Sequence, residues 1–325
     1  DMNGEIPPFE DAPTFGKTLK KAHQWAKETR FDSVVGINKR IENDGPIDCI
    51  TLSEHKHNQQ LCELGELIEG DIENIRLICI AGPSSSGKTT FANRLRIELL
   101  SRGIDPVRIS LDDYYLPREL CPKDENGDYD LESIDALDID LFNKNITDLI
   151  AGEQVDLPKF DFKLGRRVPG RTIQIPTNQP IIIEGIHALN DKLSSLIPQH
   201  QKFKIFIAPQ AQVNIDNENP LSLTDLRLLR RIVRDYQFRH ASALETLAMW
   251  PSVRKGEFKW IYDTEEGANY VFNSFLPIEL SAMKKYAMPL LEAIDVDNEN
   301  YPVVERLIRM LKFFDEMDDT WVPCN

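Results

Sequence analysis

No run of about eighteen apolar residues occurs anywhere in the 325 residues, so no segment can span a bilayer as a helix. Cysteine is sparse and scattered. Cys49, Cys62, Cys79, Cys121 and Cys324 include no pair with the Cys-x-x-Cys spacing of a zinc or redox site. Five reduced thiols in a cytoplasmic protein are the expectation. Positive charge is also short. There are 38 Lys and Arg against 53 Asp and Glu, a net charge of −15, which disfavours a nucleic-acid backbone as the main partner. Internal repeats and low-complexity tracts are absent. The opening Asp1-Met2-Asn3-Gly4 has no basic stretch followed by an apolar one, so no secretory leader is expected, and an initial Asp points to a chain that extends further upstream.

The length suits one large α/β domain with a smaller appendage. Residues 1–70 differ from the rest. Pro7-Pro8 and Pro13 punctuate an extended opening, Thr14 to Lys27 reads as a helix, and a second helical pattern runs from about Leu61 to Glu69. Too few apolar residues are present there for an independent core, so the segment is expected to pack on a main domain spanning 71–325. From Ile75 onward, four short apolar runs read as buried parallel strands: Leu77–Ala81, Val107–Leu111, Ile181–Ile183 and Phe203–Ala208. Helical stretches at Phe91–Ser101, Leu137–Ile150 and Val303–Phe314 imply crossover units and a parallel sheet.

The segment Gly82-Pro83-Ser84-Ser85-Ser86-Gly87-Lys88-Thr89 matches G-x-x-x-x-G-K-[ST] in full, between an apolar strand and an amphipathic helix. The four fixed positions arise by accident in a chain this long about one time in a hundred. The glycines let backbone amides turn toward phosphates, and the helix N-terminus adds partial positive charge. Gly82, Ser84, Ser85, Ser86, Gly87, Lys88, Thr89 and Thr90 are therefore expected to hold ATP, with Lys88 on the β/γ-phosphates and Thr89 on Mg²⁺. GTPases, motors and kinases all share such a cradle, so other residues must decide between them.

Two strands end in acids. Val107–Leu111 runs into Asp112-Asp113, and Ile181–Ile183 into Glu184-Gly185. In a parallel sheet these ends share the ligand-binding rim. Glu184 is placed to hold Mg²⁺, and Asp112 to accept a hydrogen bond from an attacking hydroxyl. Turn-capping is the plainer alternative for both. Further on, Thr224–Arg239 carries Arg227, Arg230, Arg231 and Arg234 at helical spacings, with Leu228, Leu229, Ile232 and Val233 on an apolar side. In an acidic chain, a lid closing over a phosphoryl group accounts for this excess of forked donors. A solvated, salt-bridged helix is its alternative. His55 and His57 are expected on a solvated face, His187 near the rim, and Trp250, Trp260 and Trp321 in the core or an interface.

Taken together, Gly82–Thr90, Ser110-Leu111-Asp112-Asp113-Tyr114-Tyr115, Glu184-Gly185-Ile186 and the arginine segment Asp225–Asp235 resemble the uridine kinase and phosphoribulokinase family of P-loop kinases over roughly residues 72–290. More narrowly, Pro7-Pro8-Phe9-Glu10-Asp11, Phe160-Asp161-Phe162-Lys163 and Met249-Trp250-Pro251-Ser252-Val253-Arg254 resemble bacterial uridine kinase-like proteins with a threonyl-tRNA-synthetase-related region upstream. Residues 1–70 would then be its tail or a linker from it. The resemblance implies a three-layer α/β P-loop kinase fold with a five-stranded parallel sheet and a helical lid. It also implies ATP and Mg²⁺, and phosphorylation of a nucleoside 5′-hydroxyl. Asp112 falls on the catalytic-base position, Lys88, Thr89 and Glu184 on phosphate and metal positions, and Arg230 and Arg234 on the lid. Arg227 and Arg239 would face the acceptor, and Tyr115 and Glu132, or else Asp130, would line its pocket.

The chain also departs from that pattern. Phe160 and Gly165 stand where uridine kinases carry a tyrosine and a histidine that help read the base, and Trp250 replaces a base-facing glutamine. A pocket stripped of such hydrogen-bonding groups discriminates less, so the expected acceptor is a nucleoside rather than uridine in particular. A kinase for another small alcohol, such as a sugar phosphate, and an ATP-binding regulatory or RNA-associated module remain alternatives. A homo-oligomer is left open.

Overall fold

The computed structural model describes residues 13–323 apart from 124, 126, 162, 163, 212 and 217. The proline-punctuated opening at Pro7-Pro8 and the pair Phe162-Lys163 lie outside the described residues. Strands are β1 (Leu77–Ala81), β2 (Val107–Ser110), β3 (Val155–Asp161), β4 (Arg166–Ile173), β5 (Ile181–Glu184), β6 (Lys202–Ala208) and β7 (Tyr270–Asn273). Helices are α1 (Pro13–Thr29), α2 (Val34–Asp44), α3 (Pro46–Glu69), α4 (Lys88–Ser101), α5 (Ile139–Ile150), α6 (Leu223–Arg239), α7 (Ala243–Trp260), α8 (Glu279–Glu292) and α9 (Tyr301–Lys312).

Five strands form a wholly parallel sheet in the order β2-β5-β1-β6-β7. Strand side chains alternate between faces, and here both faces are covered. Leu77, Cys79, Ala81, Ile181, Ile183 and Phe206 enter one core with Phe142, Ile146 and Leu149 of α5. Ile78, Ile80, Ile182, Ile205 and Ile207 enter another with Phe91, Leu95 and Leu99 of α4. Two buried faces explain why these strands read as unbroken apolar runs rather than alternating ones.

The N-terminal helices contribute to shared cores. Phe31, Val34, Ile37, Cys49 and Ile50 pack with Leu228, Leu229 and Ile232 of α6 and with Val304, Leu307 and Leu311 of α9. Leu61, Leu64 and Ile68 of α3 lie against the sheet. Each such side chain contributes roughly 1.5–3 kcal/mol on burial. Residues 13–70 thus share their cores with α6, α9 and the sheet.

Several elements differ from expectation for identifiable reasons. α3 starts at Pro46 rather than near Leu61, because the polar run His55–Gln60 hides its periodicity. His57 is not on a solvated face. It is buried, its Nε2 lies 3.2 Å from the Phe275 carbonyl, and its ring meets the edge of Phe272. Burial holds its pKa down at about 3. Trp321 is exposed rather than packed in a core. α7 and α8 run through Pro251 and Pro289, which ordinarily break a helix. The β3–β4 hairpin contains Pro158, Pro169 and Gly170, which disguise it in the sequence.

Candidate active site

The phosphate loop hangs between β1 and α4. A Cβ at Gly82 would lie 2.0 Å from the Ile207 carbonyl oxygen and 2.9 Å from Ser86 Oγ, so only glycine lets the loop leave β1 beside β6. Gly87 has φ +91° at the entry to α4, and Ser85 takes φ +58°. Left-handed turns leading into a helix N-terminus are the chemistry of an anion cradle. Lys88 arches back over the loop, its Nζ donating to the carbonyls of Gly82 at 2.9 Å and Pro83 at 3.2 Å. Loss of solvent lowers its pKa, against the pull of Glu184, Asp112 and Glu132.

Beside the loop, Thr89 Oγ1 donates to both Glu184 carboxylate oxygens at 3.3 Å, and Ser110 Oγ donates to Oε1 at 3.0 Å. Burial raises the Glu184 pKa, as does the negative charge of Asp112. A hydroxyl and a buried carboxylate placed side by side are the hard oxygen donors a magnesium ion takes. Asp112 lies in the tight turn Leu111–Tyr114 that follows β2. Its pKa is raised by burial and offset by Lys88 and Arg239. The two strand-end acids thus share one rim with the cradle.

A second group lines the same rim. Burial lifts the Glu132 carboxyl to about 7, against the pull of Arg231 and Lys88. Its main-chain carbonyl lies 3.0 Å from His187 Nε2. His187 is buried, edge-on to Trp260, and held down at about 4 by burial, so it supports Glu132 from behind. Asp130 instead faces Lys259, 3.7 Å away. Tyr115 meets Phe160 of β3 edge to face at 5.9 Å, and burial beside Asp112 and Glu132 pushes its hydroxyl pKa well up. Asp113 reaches across to accept a hydrogen bond from the Phe160 amide at 3.1 Å, tying the hairpin to the turn that carries Asp112.

The arginines of α6 do not share one task. Arg227 is buried; its Nε donates to the Ser84 carbonyl at 3.0 Å, and its guanidinium pairs with Glu257 and lies 5.5 Å from the ring centre of Trp250. Trp250 is accordingly a core residue under a phosphate-loop contact. Arg230 grips Glu279 through two bonds of 2.6 and 2.8 Å and donates to the Ser274 carbonyl at 2.9 Å. Arg231 reaches Ser84 Oγ at 2.6 Å. Arg234 pairs with Asp235 at 2.6 Å, and Arg239 lies exposed at the end of α6, 3.7 Å from the same carboxylate.

The sequence alone does not point to Glu257, Arg254 and Tyr262 as neighbours of the phosphate loop. Their one local signal is the i,i+3 pair Arg254–Glu257, which reads as an ordinary surface ion pair, whereas Glu257 is fully buried. Beside it, Gly256 leaves room for Glu132, whose Cβ would lie 2.4 Å from a Cβ at position 256.

Comparison with known proteins follows the same residues. The family model described as the phosphoribulokinase / uridine kinase family matches residues 77–277, more than half the chain. An inorganic pyrophosphatase, TTM2, from Arabidopsis thaliana is 36% identical over 132 residues, covering 41% of this chain and 18% of the plant protein. A uridine kinase from Ureaplasma parvum serovar 3 is 32% identical over 176 residues, covering 54% of this chain and 76% of that enzyme. Among solved structures, a D-glycerate 3-kinase from Cryptococcus neoformans superposes with a TM-score of 0.29 at 15% identity, covering 62% of this chain and 69% of the other.

Proposed function

The chain belongs to the phosphoribulokinase and uridine kinase family, and from that premise we propose that it transfers the γ-phosphoryl group of ATP to the 5′-hydroxyl of a nucleoside. The observation that carries this reading is the convergence of a complete phosphate loop, the Thr89–Glu184 pair and the buried acids Asp112 and Glu132 on one rim. A nucleotide hydrolase needs the loop and the metal ligands. It does not need the two further buried acids, Asp112 and Glu132, beside them.

In this reading the amides of Ser85 to Thr89 and the Lys88 ammonium hold the β- and γ-phosphates. Thr89 and Glu184 would hold Mg²⁺, which supplies charge neutralisation at the transferring group. Asp112 accepts the hydrogen bond of the acceptor hydroxyl and takes its proton as the new P–O bond forms. Its raised pKa suits it to that proton better than an ordinary carboxylate. Glu132 receives the ribose hydroxyls, and Tyr115 with Phe160 forms the apolar wall against the base. Arg234 and Arg239 are the α6 arginines nearest to Asp112 in effect, since both lower its pKa. Arg227 and Arg231 are engaged on Ser84 instead, and Arg230 on Glu279.

A panel of acceptors with labelled ATP tests the reading. Transfer to one or more nucleosides is expected. Transfer confined to sugar phosphates or other small alcohols would replace the acceptor class, and ATP binding without any transfer would replace the activity.

Glu132 adds a pH signature. Burial lifts its carboxyl to about 7, so its ionised, hydrogen-bond-accepting form grows about tenfold between pH 6 and 8. The acceptor KM is expected to fall by up to about that factor as pH rises across this window, and to stay flat in Glu132→Gln. The same raised pKa favours the unfolded chain progressively from about pH 4.5 to 7, so Glu132→Gln should melt higher than wild type at pH 8. Parallel KM-versus-pH profiles for the two proteins would exclude the role.

A further inference from the structure

We propose that Glu257 of α7 is a positioning residue for the phosphate loop, setting the direction of the amides that bind ATP; the assignment rests on the kinase reading above. All three polar groups of Ser84 are held from outside the loop. Its amide donates to Glu257 Oε1 at 2.9 Å, its carbonyl accepts from Arg227 Nε at 3.0 Å, and its hydroxyl accepts from Arg231 at 2.6 Å. Arg230 adds a longer contact of 3.3 Å to the next carbonyl, that of Ser85. Ser84 immediately precedes the left-handed turn at Ser85, so the plane in which Ser84 is fixed decides where the following amides point.

Glu257 is in turn rigidly held. Its side chain is fully buried and pairs with Arg227 and Arg254. Both arginines also donate to the Tyr262 hydroxyl, at 3.1 and 2.8 Å. A buried carboxylate is costly without partners that answer its charge and lone pairs. Here two guanidiniums answer the charge and the loop's own amide takes a lone pair. Charge balance alone would need the arginines and not the amide. That extra contact is what makes the cluster a gauge for the loop.

The two functions of the carboxylate separate in Glu257→Asp. Aspartate keeps the charge for Arg227 and Arg254 but sets the carboxylate back by about 1.5 Å, one carbon–carbon bond. A displacement near 1 Å at a reacting group can cost as much as a hundredfold. With full-length protein, Mg-ATP affinity measured by titration calorimetry without acceptor is expected to weaken about tenfold in Glu257→Asp. The KM for ATP should rise in step, while the acceptor KM stays within twofold. General loosening of the fold would move both KM values together. Should Glu257→Asp fail to fold, Arg254→Gln, at a half-buried position, carries the same test with an expected loss of severalfold. A folded variant that binds Mg-ATP within twofold of wild type overturns the assignment alone. A wild-type chain that does not bind Mg-ATP overturns the kinase reading and this assignment with it.

Discussion

Asp112→Asn is expected to lower kcat by a hundredfold or more and to leave Mg-ATP binding near that of the wild-type chain. The size follows from what a positioned base supplies, about two to four powers of ten. Asparagine nearly matches the shape of aspartate and leaves the turn Leu111–Tyr114 room to form, but it cannot take a proton. Lys88 Nζ donates to the carbonyls of Gly82 and Pro83 and not to Asp112, so those two bonds do not depend on the substituted side chain. Rapid-quench measurement of a single turnover, with a separate ATP titration, checks both halves. Near-wild-type turnover removes Asp112 from the chemistry. Loss of ATP binding instead makes it part of the cradle, and an Asp112 that only capped its turn would affect melting more than rate.

Gly82→Ala is expected to be damaging for a different reason. The new methyl carbon meets the Ile207 carbonyl oxygen at 2.0 Å. That oxygen belongs to β6, which is hydrogen-bonded to β1 on one side and β7 on the other, so it cannot step aside without disturbing two strand pairings. Overpacking of this kind costs typically 1–3 kcal/mol, a melting-point drop of several degrees in a chain of this size. The cheapest relief is to push the loop outward, which carries the phosphate-binding amides with it. A loss of Mg-ATP affinity of tenfold or more should accompany the lower melting point. Gly87→Ala is the informative contrast. Position 87 has open space around it and is unfavourable only through its φ of +91°, so a strained but unblocked loop is expected there. Equal effects at the two positions would mean that conformation rather than collision governs the loop.

How much of this was legible beforehand depended on whether the signal was local. The loop Gly82–Thr89 carries its pattern in consecutive residues, and the buried strands carry theirs in β-branched and aliphatic runs, so both can be read without coordinates. The four anticipated strands lie within one residue of their observed limits. The fifth, Tyr270–Asn273, is four residues at a sheet edge with two half-buried side chains, too little pattern to stand out. α7 and α8 were hidden by proline, whose helix-breaking tendency is overridden by packing of Leu247, Val253 and Leu291. The arginine helix was legible as a helix with an apolar side, but not in the division of labour among its arginines. Whether an arginine meets Ser84, Glu279 or Asp235 depends on elements as much as 147 residues away in sequence. Glu257 illustrates the limit most clearly: it is fully buried and joined to a loop 173 residues upstream, while its one local signal, the pair with Arg254, reads as a surface ion pair.

The place of β1 in the sheet has a consequence in time. Flanked by β5 and β6, with every residue buried, β1 has amides expected to exchange their hydrogens with solvent only when the whole sheet opens. The β3–β4 hairpin pairs only with itself and is largely solvent-facing along β4, so its amides open locally and far faster. The strand from which the phosphate loop springs is therefore expected among the slowest-breathing parts of the described chain. The hairpin carrying Phe160 is expected among the quicker parts, so under the proposed function it would adjust to an acceptor while β1 stays still.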